Sequence, residues 1–265
     1  MNTKSFKIAK WIESAALLMG WALLFWIVVS AFQYKKDMNL VDLEVSVING
    51  EKDLHLLDKS QLTDFVLMGL PDSIHHLSLK ELPLAELRAH TLSHPYVKEV
   101  NLYVGKNGKL LLECSPRYPI ARVEPARGTA YLIDQNGEVM PLSEDMTIKL
   151  PVIRGRVPGM NAEDDEAILR LEALGQLFQT INEIEFLQLL IDQVVVTALG
   201  EYILLPVLGS EKIELGDLER IEEKMLDLDE FYHQVIAQVG WNVYETISLK
   251  YEGQVVGKRR VSTSP

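Results

Sequence analysis

Hydrophobic positions follow three different rhythms along this chain. From Ser14 to Phe32 they run on without a charge, about the length a helix needs to cross the hydrocarbon core of a bilayer. From Leu40 to Ile48 they alternate: Val41, Leu43, Val45 and Val47 fall on one face, with Asp42, Glu44 and Ser46 on the other. That is the period of a half-buried strand. Asn49-Gly50 then supplies a turn. Asp58 or Ser60 is placed to cap a helix over Gln61–Met68, closed by Gly69 and Pro71. A second helix is predicted from Pro83 to about Leu92, with proline in its first turn and His94-Pro95 marking its end. Strands follow at Val97–Val104 and Lys109–Cys114, joined across Gly105-Lys-Asn-Gly108 as a hairpin. Pro116 and Pro119 break the run, and Ile120–Val123 is expected to add an edge strand. The order is β-α-α-β-β, a compact α+β module.

The second half opens with an apolar strand from Tyr131, a turn over Asp134–Gly137 and a returning strand to Met140. Leu150-Pro-Val-Ile-Arg-Gly155 reads as a short buried segment ended by glycine. Helical periodicity runs from about Glu163 to Ile184 through Ile168, Leu171, Leu174, Leu177, Phe178 and Ile181. The acidic run Glu163-Asp-Asp-Glu166 falls in its first turn, where the helix dipole favours negative charge. Strands are predicted at Ile191–Thr197 and Glu201–Pro206. A long helix is predicted over Asp217–Ala237, with Leu218, Ile221, Met225, Leu228, Tyr232 and Val235 or Ile236 on its buried side. The last element is a strand over Thr246–Val256, alternating through Ile247, Leu249 and Tyr251.

The flanks of the first apolar run give it a direction. Lys4, Lys7 and Lys10 precede it and Lys35 and Lys36 follow it. With the amino terminus added, the positive-inside bias favours a cytoplasmic tail. Trp11 and Tyr34 sit near the two expected interfaces. A cleaved signal peptide is the alternative. The run is longer than the usual apolar core of such a peptide, and no small-x-small cleavage site follows it closely. The expected organisation is a cytoplasmic tail over 1–13, a transmembrane helix over 14–34, a first module over 38–123, a second domain over 124–260 and a flexible C-terminus over 261–265.

Apolar residues make up 48% of the sequence, so a packed core is expected rather than disorder. Setting aside the five lysines around the span and Glu13 leaves 21 basic against 37 acidic residues, a formal charge of −16 on the soluble part. Such a surface repels nucleic acid and anionic headgroups and points to protein partners or screening cations. Cys114 is the single cysteine, so no intramolecular disulfide can form.

Enzyme signatures are missing from the sequence. There is no Gly-x-Ser-x-Gly elbow, phosphate-binding loop, His-Glu-x-x-His or Cys-x-x-Cys. His90 and His94 are four apart but no third metal ligand is marked near them, and they are better read as helix-end surface histidines. The run 163–166 lacks the glycine and spacing of a calcium loop. Asp134 with Glu138 is more simply a hairpin turn than a carboxylate pair. No cofactor and no metal site is expected.

The order of these pieces resembles the FtsQ/DivIB family of bacterial division proteins. His94-Pro-Tyr-Val-Lys-Glu-Val-Asn-Leu102 is similar to the strand entry of that family's POTRA domain, and Leu110-Leu-Leu-Glu-Cys-Ser-Pro-Arg-Tyr-Pro-Ile-Ala-Arg122 to its exit. Tyr131–Val139 and Leu150–Gly155 resemble the family's β domain. Near the end, Tyr244-Glu-Thr-Ile-Ser-Leu-Lys-Tyr251 followed by Gly253-Gln-Val-Val256 resembles its "I-D-L-R-Y" strand. Ser248 and Lys250 stand where aspartate and arginine are usual, and Lys258-Arg-Arg260 adds a basic end, suggesting a diverged branch such as that of the Bacteroidetes.

The resemblance implies an α+β protein with a single N-terminal transmembrane helix, a POTRA-like β-α-α-β-β domain and a mixed α/β "β domain" with an antiparallel-rich sheet. It implies a non-enzymatic, inner-membrane scaffold of the divisome with its folded domains in the periplasm. Its implied partners are FtsB-like and FtsL-like proteins, through which it would help control septal peptidoglycan synthesis. The expected contact is the final strand, with Tyr251 as anchor and the backbone of Gly253, Gln254, Val255, Val256 and Gly257 as the ladder, because an open strand edge recruits a partner strand. A membrane-anchored envelope assembly factor, or a cell-wall enzyme with an unrecognised active site, remains the alternative.

Overall fold

A computed structural model of the protein describes residues 18–30, 42–48, 57–70, 82–105, 108–142, 148–162 and 164–261. Residues 18–30 form a helix, α1, with exposed apolar side chains such as Leu18, Trp21, Phe25 and Trp26. The ends of the expected span over 14–34, the expected tail over 1–13, Lys35-Lys36 and residues 262–265 of the expected flexible end lie outside the described residues. Among the described residues no helix is long and apolar enough to cross a membrane.

The protein divides into two compact units, Met1–Pro116 and Arg117–Pro265. The first contains β1 (Asp42–Val47), α2 (Lys59–Met68), α3 (Leu84–Leu92), β2 (Val97–Val104) and β3 (Lys109–Pro116). Asp58 caps α2, accepting a hydrogen bond from the Gln61 N–H at 3.3 Å, which satisfies one of the donors left open at a helix start. The three strands are ordered β1-β3-β2. β3 is central, parallel to β1 and antiparallel to β2. Val45, Leu62, Val66, Leu87, Val97, Val100, Leu110, Leu112 and Cys114 form the core between this sheet and the two helices. The alternation in the sequence is therefore a true core face, although Val104 at the end of β2 is exposed. The expected turns at Asn49-Gly50 and Lys106-Asn107 lie outside the described residues.

The second unit is built on a nine-stranded sheet. Its strands are β4 (Ala121–Pro125), β5 (Tyr131–Ile133), β6 (Val139–Pro141), β7 (Val152–Gly155), β8 (Ile191–Val196), β9 (Tyr202–Pro206), β10 (Lys212–Gly216), β11 (Tyr244–Tyr251) and β12 (Gln254–Arg259). Their order is β12-β11-β10-β9-β8-β7-β4-β5-β6. Most pairings are antiparallel, but β4–β7, β7–β8 and β10–β11 are parallel. A parallel neighbour cannot be reached by a tight turn and needs a crossover. Helices fill two of these crossovers: α4 (Asp165–Glu183) and α5 (Glu185–Leu190) between β7 and β8, and α6 (Ile221–Phe231), a π-helical turn (Tyr232–Ile236) and α7 (Ala237–Val239) between β10 and β11. One apolar cluster joins helices and sheet, including Leu171, Leu177 and Phe178 of α4, Met225 and Leu228 of α6, and Ile153, Val194, Leu204 and Ile247 of the strands.

Four readings of the sequence change here. The strand expected at Ile120–Val123 as an edge of the first module is β4, which pairs with β5 and β7 inside the large sheet. The helix expected over Asp217–Ala237 starts four residues later and changes geometry at Tyr232. It starts at Ile221 because Arg220, its N-cap, takes a left-handed φ of +52°, which no helical residue adopts. The buried Lys224 ties the preceding turn to the helix: its Nζ donates to the carbonyls of Leu215 at 3.2 Å and Asp217 at 2.9 Å, and to Asp217 Oδ1 at 2.7 Å. β10 and α5 are additional to the predicted elements, and the single last strand is a hairpin.

The acidic run at the start of α4 takes the expected structural role. Asp164 is the N-cap and accepts from the Ala167 N–H at 2.9 Å, with Asp165 and Glu166 in the first turn; Glu163 lies outside the described residues. Asp134 is likewise a turn residue. It is buried and accepts from the N–H groups of Asn136 at 2.8 Å and Glu138 at 3.0 Å and from Arg117 at 2.8 Å. His90 and His94 are half-buried rather than on the surface: His90 stacks on Phe65 with ring centroids 4.5 Å apart, and His94 meets the same ring edge-on at 4.9 Å.

A candidate partner-binding edge

The sequence places a two-residue turn, Glu252-Gly253, between two β-prone runs. Tyr251 pairs with Gln254 across it, and Gly253 takes a left-handed φ of +63°, which costs glycine nothing and a side chain about a kcal/mol or more. β11 and β12 thus form a hairpin, and β12 is the terminal strand of the sheet.

The six expected contact residues divide by position. Tyr251 stands at the end of β11 with 59% of its surface exposed, and Val256 on β12 is 44% exposed. Gln254 is also exposed, whereas Val255 is half-buried and packs against the main core. Gly257 pairs with the buried Ile247. A Cβ at 257 would come within 2.5 Å of Tyr244 Cε1, so the ring of Tyr244 occupies the space of a side chain there. All six therefore lie on one hairpin, but Val255 and Gly257 also belong to the packing that holds the edge strand in place.

The backbone of β12 has a defined polarity. The Arg260 N–H donates to the Val243 carbonyl at 2.9 Å. Both register shifts in the hairpin put the extra residue in β11, so β12 itself alternates without interruption. Counting back from Arg260, the backbone groups of Lys258, Val256 and Gln254 turn toward β11, and those of Arg259, Gly257 and Val255 turn outward. No described strand pairs with that outer side.

Charge is concentrated at the same place. Lys258, Arg259 and Arg260 are consecutive in a protein of formal charge −12. Lys258 pairs with Glu245 across the hairpin at 2.9 Å and holds that carboxyl below the usual glutamate range. Arg260, not among the expected contact residues, ties the strand end to a neighbouring loop: its Nη2 donates to Ser210 Oγ at 2.6 Å and to the Ser210 carbonyl at 3.2 Å. Ser210 in turn bonds Asn242 at 2.9 Å. Nothing in the local sequence marks this long-range bond.

Among the described residues no group of three His, Cys, Asp or Glu side chains is placed to hold a metal ion. Cys114 is buried in the first unit, where burial pushes its thiol up to about 11, far from a reactive thiolate.

A family model described as "FtsQ/DivIB, C-terminal related" matches residues 118–258, more than half of the chain and all of the large sheet up to Lys258 in β12. The chain belongs to the FtsQ/DivIB family. It is also 30% identical over 179 residues to the cell division protein FtsQ of Salinibacter ruber (strain DSM 13855 / M31), a match covering 63% of this chain and 66% of that protein. Membership of the FtsQ/DivIB family makes this a cell-division protein. The family match starts one residue after Arg117, the first residue of the second unit.

Proposed function

We propose that this protein is a non-enzymatic scaffold of the divisome that receives a partner strand along β12. The observation that carries the proposal is the outward-facing backbone of Val255, Gly257 and Arg259 at the terminal strand of the sheet. A free strand edge offers main-chain donors and acceptors in a fixed register, and a partner that adds a strand gains affinity from them. Tyr251, exposed beside the turn, provides an aromatic anchor of the kind enriched at interface hot spots. The basic Lys258, Arg259 and Arg260 favour an acidic partner segment, and they deter uncontrolled edge pairing in its absence.

The partner implied by family membership is an FtsB-like protein, itself paired with an FtsL-like one, and the consequence of assembly is control of septal peptidoglycan synthesis. The apolar run over 14–34 is the membrane anchor in this reading. The tail over 1–13 lies in the cytoplasm, the POTRA-like module, expected over 38–123 but ending at Pro116, and the β domain that follows it lie in the periplasm, and the whole is held at the division site of the inner membrane. The β-α-α-β-β order of the first unit supports the POTRA assignment.

The test is capture from the native host by full-length protein, compared with Tyr251→Ala. The wild type is expected to bring down small single-span coiled-coil proteins, and Y251A to bring down at least tenfold less at an unchanged melting temperature. Equal capture by both removes Tyr251 from the interface. Truncation after Glu252 is a poor comparison, because it would also strip Val255 from the core and uncover Tyr244.

A further inference from the structure

β7, α4 and β8 form a strand–helix–strand unit with parallel strands. In open parallel α/β sheets ligands bind in a crevice outside the carboxyl ends of the strands, and this parallel pair within a mostly antiparallel sheet ends in a comparable place. This protein has a cleft there, beyond Gly155 and Val196, with a volume of about 70 Å³. Arg156, Arg170, Tyr202, Leu174, Val157 and Gly200 line it.

Its polar groups are cations and a phenol. Arg156 donates from Nη1 to the Ala198 carbonyl at 2.8 Å, which fixes the side chain. Arg170 donates from Nη2 to Glu166 Oε1 at 2.5 Å, an i,i+4 pair whose glutamate is 75% exposed. Such a surface pair contributes little, so it is open to competition from a better-placed carboxylate. A guanidinium has five N–H donors, and one bond each leaves most of both forks unused among the described residues. Tyr202 is half-buried, and its hydroxyl has no hydrogen-bond partner among the described residues. Burial raises its pKa and the charge of Arg170 lowers it in part, so it is a neutral donor at pH 7.

We propose that this cleft binds a carboxylate of a protein partner, either an Asp or Glu side group or a free C-terminus. Two guanidiniums with unused donors and one phenol line a space sized for one small anionic group and far below that of a drug-sized ligand. Arginine forks match a carboxylate in two-point geometry. The adjoining β8–β9 turn presents Leu199, 87% exposed, beside the cleft, an apolar contact that a peptide would use and a free anion would not. The site is separate from β12 and does not rest on the reading of that strand.

The test uses the full-length protein in detergent micelles with ring-labelled tyrosine, titrated with the acetylated, amidated peptide Gly-Glu-Leu-Gly, its Gln counterpart, sodium acetate and inorganic phosphate. The Glu peptide is expected to move the Tyr202 ring signal, identified by its loss in Y202F, with saturation, and the Gln peptide to leave it unmoved. Anisotropy of the labelled Glu peptide is expected to show at least tenfold weaker binding in R156Q and R170Q and at least threefold weaker binding in Y202F, which removes a single hydroxyl and keeps the test valid if an arginine variant unfolds. Equal binding of the Gln peptide, wild-type affinity in the folded variants, or saturation by phosphate or acetate without the peptide would each overturn the proposal, the last by making the cleft a site for a small free anion.

Discussion

Tyr244 lies across Gly257, the ring filling the place where a Cβ would stand, 2.5 Å from its Cε1. This pairing joins the first residue of β11 to an outward-facing backbone position of β12, so the packing of a buried ring and the geometry of the proposed ladder are one feature. Gly257→Ala forces the ring to move within a packed site. It is expected to lower stability by about 1–3 kcal/mol, the usual cost of overpacking, read from urea unfolding. The cost should fall when Tyr244 is first shortened to Val, because neighbours that share a space are not additive.

Proline separates the two faces of the β12 backbone. At Val255 the lost N–H points outward, so V255P keeps the hairpin ladder, loses only the packing of its half-buried side chain, and is expected to lose partner capture at least tenfold. At Val256, paired with Ser248, the lost N–H belongs to the hairpin itself. V256P is expected to be the less stable of the two. Circular dichroism melts and capture assays on the pair check both statements.

Lys224 ends buried with three oxygens around its ammonium. Lys224→Met leaves the carbonyls of Leu215 and Asp217 without that donor, at an expected cost of about 1–3 kcal/mol. The Lys224 hydrogen bond is also the main cause holding Asp217 below its ordinary value of 3.8. A lowered carboxyl stabilises the fold fully above that value, and the contribution is lost as pH falls through the lower folded value. Asp217 is 68% exposed, so its share is small. Unfolding scans below pH 4 should show a shallower loss in K224M than in wild type.

His94 gives the first unit a pH dependence at milder acidity. Burial lowers its pKa from 6.5, and its Nδ1 accepts from the Tyr96 N–H at 3.3 Å, which protonation forbids. The stability contributed by the neutral ring is complete above 6.5 and lost as pH falls toward the lower folded value. His94→Gln is expected to flatten the melting temperature between pH 7 and pH 5.

Much of the fold is legible in the sequence because its signals are local. β3 alternates cleanly between buried and more exposed positions, and the hairpin forms where expected, although β2 carries a register shift between Val97 and Glu99 and its Val104 is exposed. The α4 face through Leu171, Leu174, Leu177, Phe178 and Ile181 is buried as its period requires, while Ile168, expected on the same face, is exposed. The illegible parts depend on long-range partners. β4 has strand character in either module, and only its pairing with β7, thirty residues on, decides which sheet it joins. The start of α6 follows a left-handed Arg220 and a turn tied by the buried Lys224, and within the π-helical turn Tyr232 bonds the buried Glu211 at 2.6 Å. At the candidate edge, Gly253 is expected in the ladder but forms the turn, because Glu-Gly is a weaker hairpin signal than Asn-Gly. The six expected residues do share one hairpin, yet the division between Val255 and Gly257 facing outward and Gln254 and Val256 facing inward requires the register.

Amide hydrogen exchange on β12 tests the central claim most directly. The full-length protein is measured alone and with the FtsB-like and FtsL-like proteins of its native host. The strand-addition account predicts that the amides of Val255, Gly257 and Arg259 exchange freely in the protein alone and become strongly protected in the complex, while those of Val256 and Lys258 are protected in both. A stable complex in which the three outward amides still exchange freely would contradict it and place the partner elsewhere on the protein.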